Sequence, residues 1–171
     1  MIKEISYRAP DQLKKEVEKK QKVTTLFLKK LGRKKPADLD RKVLELHDSG
    51  FSMFDCLNCA NCCRSLGPRL TGPDIERLAK YLKMKITLFS DEYVKTDEEG
   101  DLIFKNNPCP FLMSDNFCSV YESRPKACRE YPHTDRKRFY QILELTHKNC
   151  ETCPVVFEII DELRVIYQDR I

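Results

Sequence analysis

Apolar residues recur at helical spacing over much of this chain. Leu13, Val17, Thr24, Phe27, Leu28 and Leu31 share one side of a helix read from about Asp11 to Leu31, with Gly32 as its expected C-cap. Pro36 breaks the pattern. A second helix is expected to start at Asp38 or Asp40, to carry Leu39, Val43, Leu46 and His47 on one side, and to end near Gly50. A loop closed by Gly67-Pro68 follows. Thr71-Gly72-Pro73-Asp74-Ile75-Glu76 then has a capping hydroxyl, an early proline and first-turn acids. It predicts a helix with Ile75, Leu78, Ala79 and Leu82 inward. A short helix is expected around Ile86 to Val94.

Glu98-Glu99-Gly100-Asp101 reads as a turn, and Leu102-Ile103-Phe104 as a short strand expected to pair with Phe117 to Tyr121. Ser123-Arg124-Pro125 opens a short helix that carries Cys128 and stops before Pro132. Periodicity leaves Phe139 to Leu145 open between strand and helix. Pro154 starts the last helix, whose core stripe is Val156, Ile159, Ile160, Leu163 and Ile166 or Tyr167. The class is therefore mainly α with a small β element (α+β), made of short helices and cysteine-rich loops organised around a metal centre. Residues 1–50 read as a basic helical segment and 51–171 as a cysteine-cluster metal-binding domain.

Composition sharpens this picture. With 41% hydrophobic and 34% charged residues and no Trp, a 171-residue chain builds a modest core. A bound ion would help to hold it. Met1-Ile2-Lys3-Glu4-Ile5-Ser6-Tyr7-Arg8 has no apolar signal stretch, and the densest apolar run, Val155 to Ile160, is interrupted by Glu158. The expectation is a soluble cytoplasmic protein whose thiols stay reduced.

Net charge is +4, and the surplus lies before the cysteines, where Lys14, Lys15, Lys19, Lys20, Lys22, Lys29, Lys30, Arg33, Lys34, Lys35, Arg41 and Lys42 join Lys3 and Arg8. These outnumber Glu4, Asp11, Glu16, Glu18, Asp38 and Asp40. A charge run of this kind is ordinarily a solvated helix face. No aromatic residues interleave with the lysines as a single-strand binder requires, so a protein partner is favoured over nucleic acid.

Four of the nine cysteines fall in one block, Cys56-Leu57-Asn58-Cys59-Ala60-Asn61-Cys62-Cys63. Two-residue gaps let neighbouring sulfurs converge on one ion or cluster, which core packing does not demand. Cys109, Cys118, Cys128 and Cys150-x2-Cys153 complete the set. A secreted disulfide framework fits poorly with an odd count and a vicinal pair. Zinc could take Cys56 and Cys59 with Cys150 and Cys153, leaving the other five purposeless unless they build a second site. An iron–sulfur cluster suits three close cysteines and a remote one followed by proline, as in Cys109-Pro110 or Cys153-Pro154. Spacing favours iron–sulfur, with zinc the alternative. Arg64 and Arg129 follow cysteines directly and are candidates to balance thiolate charge. His47, His133 and His147 are disfavoured as ligands where sulfur is abundant, and His47 reads as a packed residue.

With Cys56 to Cys63, Cys109-Pro110-Phe111-Leu112 and Phe117-Cys118 through Tyr121, Arg124-Pro125 and Cys128-Arg129 to Pro132 on the page, the chain resembles the CxxCxxCC zinc- or iron-chelating family of YkgJ-like cysteine-cluster proteins. The resemblance spans about Phe54 to Pro154. It implies eight metal-chelating cysteines, mostly in bacterial proteins and without an assigned activity. Cys56, Cys59, Cys62, Cys63, Cys109, Cys118 and Cys128 match directly, and Cys150 or Cys153 is the eighth. Flagellin lysine N-methylase resembles the same domain, but no glycine-rich nucleotide loop follows a strand here.

The functional expectation is a metal-binding protein acting in electron transfer, cluster handling or metal sensing, with Cys56, Cys59, Cys62, Cys63, Cys109, Cys118, Cys128 and Cys153 gathered in one metal region. Its alternatives are a zinc-stabilised scaffold that binds a partner through its basic helices, and a metal-dependent enzyme resembling a protein-lysine methylase. No paired carboxylates, Ser-His-Asp set or phosphate loop points to a specific reaction.

Overall fold

The computed structural model describes residue 5 and residues 8–170. Lys3 and Glu4, counted in the charge balance, lie outside them. The described residues form eight α-helices and one two-stranded antiparallel sheet, in two compact units. The first comprises the chain up to Asn61 together with the chain from Pro132 on; the second is Cys62–Tyr131. The division differs from a split after residue 50, because the N-terminal helices pack with the C-terminal ones. Among the described residues no helix is long and apolar enough to cross a membrane.

The first unit is built from α1 (Pro10–Lys34), α2 (Leu39–Met53), α7 (Leu143–Cys150) and α8 (Pro154–Tyr167), with α8 packed on the other three. The expected stripes are the buried ones: Leu13, Val17, Thr24, Phe27, Leu28 and Leu31 on α1, and Val156, Ile159, Ile160, Leu163 and Tyr167 on α8. Gly32 does not cap α1. The helix runs to Lys34, and Lys35 takes the left-handed capping position at φ 45°, donating its N–H to the Leu31 carbonyl. Gly32 instead allows close packing, since a Cβ there would stand 3.2 Å from Leu143 Cδ1. α2 likewise continues through Gly50 to Met53. Phe139–Gln141 is a 3-10 turn leading into α7, which settles a stretch left open by periodicity in favour of helix.

Polar clamps join the two chain segments of this unit. Asp40 accepts the N–H groups of Arg138 (2.7 Å) and Phe139 (2.9 Å), and Asp38 accepts the Tyr167 hydroxyl at 3.0 Å. Arg8 pairs with Glu158 at 2.7 Å, and Lys20 pairs with Asp161.

The second unit holds α3 (Asn61–Ser65), which starts on the last residue of the first unit, α4 (Gly72–Tyr81), α5 (Ile86–Tyr93), strands β1 (Val94–Thr96) and β2 (Leu102–Phe104), and α6 (Lys126–Glu130). Thr71 and Asp74 close the expected capping box of α4. The strand at Leu102–Phe104 does not pair with Phe117–Tyr121; it pairs with β1, in the register Val94↔Phe104. The reason is local. Asp97 Oδ1 accepts the N–H groups of Glu99 and Asp101, and Gly100 supplies φ 84°, so a tight turn delivers the chain straight back. Leu70, Ile75, Leu78, Phe89, Phe104, Phe111 and Val120 form the apolar core here, with Cys109 and Cys118 packed against it. Phe111 is its hub, touching Tyr93 at 5.1 Å and Phe104 edge-on at 5.3 Å between ring centroids.

Candidate metal centre

The nine cysteines divide between the units. Cys56, Cys59, Cys150 and Cys153 belong to the first, and Cys62, Cys63, Cys109, Cys118 and Cys128 to the second. The N-terminal block is not a plain loop, since Cys56–Asn58 forms a 3-10 turn and Asn61–Ser65 a helical turn.

In the second unit backbone hydrogen bonds bring the cysteine segments together. The Cys109 N–H donates to the Cys63 carbonyl at 2.8 Å. Leu112 and Cys118 form an antiparallel bridge, flanked by Met113 N–H to Phe117 O (2.8 Å) and Ser119 N–H to Phe111 O (2.9 Å). That small loop holds Cys118 beside Cys109. Cys128 sits in α6, whose start is tied to α4: Asp74 Oδ1 accepts the Lys126 N–H at 3.0 Å, and Arg77 donates to the carbonyls of Ser123 (3.4 Å) and Arg124 (2.8 Å).

Electrostatics follow from that gathering. Burial, then the charges of Cys63, Cys109 and Cys118, push the Cys128 thiol up to about 12. Burial raises Cys109 to about 11 and also raises Cys118. Cys63 goes the other way. Its largest influence is the hydrogen bond with Cys62, whose Sγ is 4.0 Å away; with the Arg124 and Arg64 charges this outweighs burial and draws the thiol from 9.0 to about 7.

Arg124 follows no cysteine directly, so sequence position alone does not mark it as a charge-balancing residue. Its guanidinium lies 3.5 Å over the Tyr121 ring, and its charge acts on Cys63, Cys118 and Cys128. Arg64 also acts on Cys63 and donates to Asn116. Arg129 is turned to the Arg124 carbonyl at 2.6 Å. His47 is packed, with Nδ1 2.7 Å from Thr134 Oγ1 and its ring against Phe51 at 4.6 Å.

In the first unit, the Cys56–Cys59 turn is closed by Cys59 N–H and Ala60 N–H, both donating to the Cys56 carbonyl at 3.1 and 2.9 Å. Ala60 takes φ 50°, a left-handed conformation uncommon for alanine. Asp55 braces the turn by accepting the Leu57 N–H at 2.8 Å. Cys150 ends α7 and donates to the Thr146 carbonyl at 3.3 Å; Cys153 is the N-cap of α8, its own N–H donating to the Asn149 carbonyl at 2.8 Å. Burial raises both thiols. For Cys153, at about 12, the amides of Val156 and Val155 pull the other way, while charge on Cys56 and Cys59 adds to the rise.

Among the described residues, no three His, Cys, Asp or Glu side chains are already disposed to hold one ion. The donor chemistry nevertheless suits a soft cation, which would replace thiol protons.

A family model described as "CxxCxxCC: putative zinc- or iron-chelating domain" matches residues 55–154, which include all nine cysteines. No solved structure matches the chain.

Proposed function

The chain belongs to the CxxCxxCC family of zinc- or iron-chelating domains, and from that membership we propose that it holds a soft metal centre on Cys62, Cys63, Cys109, Cys118 and Cys128. The observation that carries this reading is the backbone pairing that gathers cysteine segments within one compact unit, the Cys109 N–H donating to the Cys63 carbonyl at 2.8 Å and Cys118 bridging to Leu112. Buried thiols with high proton affinity are poor anions by themselves, so a cation that replaces their protons is what makes such a group stable. Arg64 and Arg124 offset the remaining thiolate charge.

The centre we favour is an iron–sulfur cluster, with zinc as the alternative. Five sulfurs exceed the four that either centre takes, and Cys62 and Cys63 are neighbours in sequence and in space. A spare thiolate lets ligands exchange, which suits cluster handling or metal sensing better than a closed structural site. When bound, a cluster supplies one-electron redox chemistry; the chain supplies ligation, two guanidinium charges and the apolar backing of Phe111. Anaerobic isolation followed by iron, zinc and acid-labile sulfide analysis tests the reading. Brown protein that bleaches with dithionite and loses its iron on Cys63→Ser supports it. Colourless protein with stoichiometric zinc points to the scaffold alternative.

One surface favours a second reading, a scaffold with a protein partner. On α1, Lys15, Lys19, Lys22, Leu26, Lys29, Lys30 and Arg33 are exposed along about 27 Å of helix, with Val23 and Leu26 46% and 63% exposed at its middle. An apolar centre within a cationic rim fits an acidic protein surface. Leu26→Glu should leave the melting temperature unchanged and abolish capture of an acidic partner from lysate. Salt-sensitive binding of single-stranded nucleic acid, indifferent to Leu26→Glu, counts against it.

A further inference from the structure

Along the sequence the positive surplus is one run before the cysteines, but the fold adds to it from far away. Asp40, in the first turn of α2, accepts the N–H groups of Arg138 and Phe139, 98 and 99 residues distant. The loop at 135–138 is thereby held against the corner between α1 and α2. Tyr140 joins the same corner from the α1 side, with the Lys35 ammonium 4.7 Å from its ring centroid. Arg33, Lys34 and Lys35 from the end of α1, and Arg136, Lys137 and Arg138 from the loop, are all exposed there, within the first unit.

We propose that this six-cation corner binds the phosphate backbone of a nucleic-acid duplex.

Three observations support it. First, the charge is not neutralised. Among the described residues no carboxylate pairs with any of the six. Asp38 is taken by the Tyr167 hydroxyl and by Arg170, and Asp40 by the two loop amides. Asp135 is the one exposed acid in the stretches 33–38 and 135–138. The negative end of α1 accounts for basic residues in its last turn, but not for three more on the loop.

Second, Lys35 and Arg138 stand in left-handed backbone, at φ 45° and 58°, where glycine is the easier residue. The turns themselves therefore give no reason for a cation at either place.

Third, the corner lacks what other partners of anionic surface require. No large exposed apolar residue falls within 33–38 or 135–138, so there is no anchor for a protein interface or for insertion among lipid tails. Tyr140 is half-buried and already carries Lys35, which suits it poorly to stacking unpaired bases. A duplex needs neither feature. It offers a regular row of phosphates, and the guanidinium forks of Arg33, Arg136 and Arg138 match phosphate oxygens. The corner is distinct from the Leu26 face of α1 and from the cysteines.

The test is fluorescence anisotropy of labelled duplexes of about 20 base pairs, one DNA and one RNA, titrated with the full chain from about 50 to about 200 mM salt. Arg136→Gln/Lys137→Gln and Arg33→Gln/Lys34→Gln should each weaken binding about tenfold at low salt and flatten the slope of log K against log salt by about 2. Lys15→Gln/Lys19→Gln removes equal charge from exposed positions of the same unit and should change affinity less than about threefold. Arg138→Gly should bind more weakly yet melt no lower than wild type, which separates a contact from a structural role. Binding of either duplex with this pattern supports the proposal, and the tighter of the two identifies the form recognised. No duplex binding at the lowest salt overturns it. So does equal loss from Lys15→Gln/Lys19→Gln, or tighter binding of unpaired strands, of poly-glutamate or of phosphatidylserine vesicles than of duplex. The metal-binding reading, which rests on other residues, stands or falls separately.

Discussion

The carboxylate of Asp74 accepts the backbone N–H of Lys126 at 3.0 Å, tying the first turn of α4 to the first turn of α6. The same carboxylate caps α4 through Thr71 and pairs with Arg77 at 2.5 Å, whose guanidinium also holds the Arg124 carbonyl. One buried acid thereby positions Arg124 and Cys128 within the second unit.

Asp74→Ala should destabilise the second unit by about 1–3 kcal/mol, the cost of losing a cap and leaving buried donors unsatisfied. Burial opposes ionisation of Asp74, but the Thr71, Arg77 and Lys126 donors outweigh it and hold the carboxyl at about 2, below its ordinary 3.8. The depressed value means that its contribution is present above about pH 4 and is lost as pH falls toward 2. Urea midpoints measured across that window should fall in wild type and stay flatter in Asp74→Asn.

A second titration belongs to Tyr167, which is fully buried. Burial first, then its hydrogen bond to Asp38, raises the phenol to about 12. A raised value gives stability that is whole below about pH 10 and lost as pH climbs to 12. Tyr167→Phe should cost about 1 kcal/mol at neutral pH. It should also lose less stability than wild type between pH 10 and 12, as followed by circular dichroism.

Phe111→Ala removes the hub of the second unit and should cost about 3–5 kcal/mol. Because Phe111 stands two residues after Cys109, in the loop bridged by Leu112 and Cys118, its loss should also loosen metal retention. Chelator challenge of the loaded variant, compared with wild type, checks this.

Removal of metal by a chelator should lower the melting temperature of the loaded protein, since site binding energy is also folding energy. Cys59→Ser should begin from the lowered value and respond less to chelator. Equal melting with and without metal would make the sites accessories to the fold.

Helix faces were legible because period and burial express the same physics: Leu13, Val17, Leu31, Leu78 and Ile159 are buried where their spacing puts them. Boundaries were less legible. Gly32 and Gly50 read as stops, yet tertiary packing carries both helices past them, against Leu143 in the case of Gly32. The strand Leu102–Phe104 was visible, but its neighbour was decided by the turn at Asp97–Asp101, whose side-chain hydrogen bonds make the local pairing the shorter closure.

By itself the sequence determined the helical class, the family and the spacing of the cysteines, because spacing and side-chain chemistry are properties of the chain alone. Only the tertiary structure divided those cysteines into four and five, since Cys59 and Cys62 are near neighbours in sequence but fall in different compact units. It also singled out Arg124 as a charge that acts on the thiols and Asp74 as the acid that positions its backbone. Long-range hydrogen bonds and burial depend on which segments meet, and no local pattern encodes that.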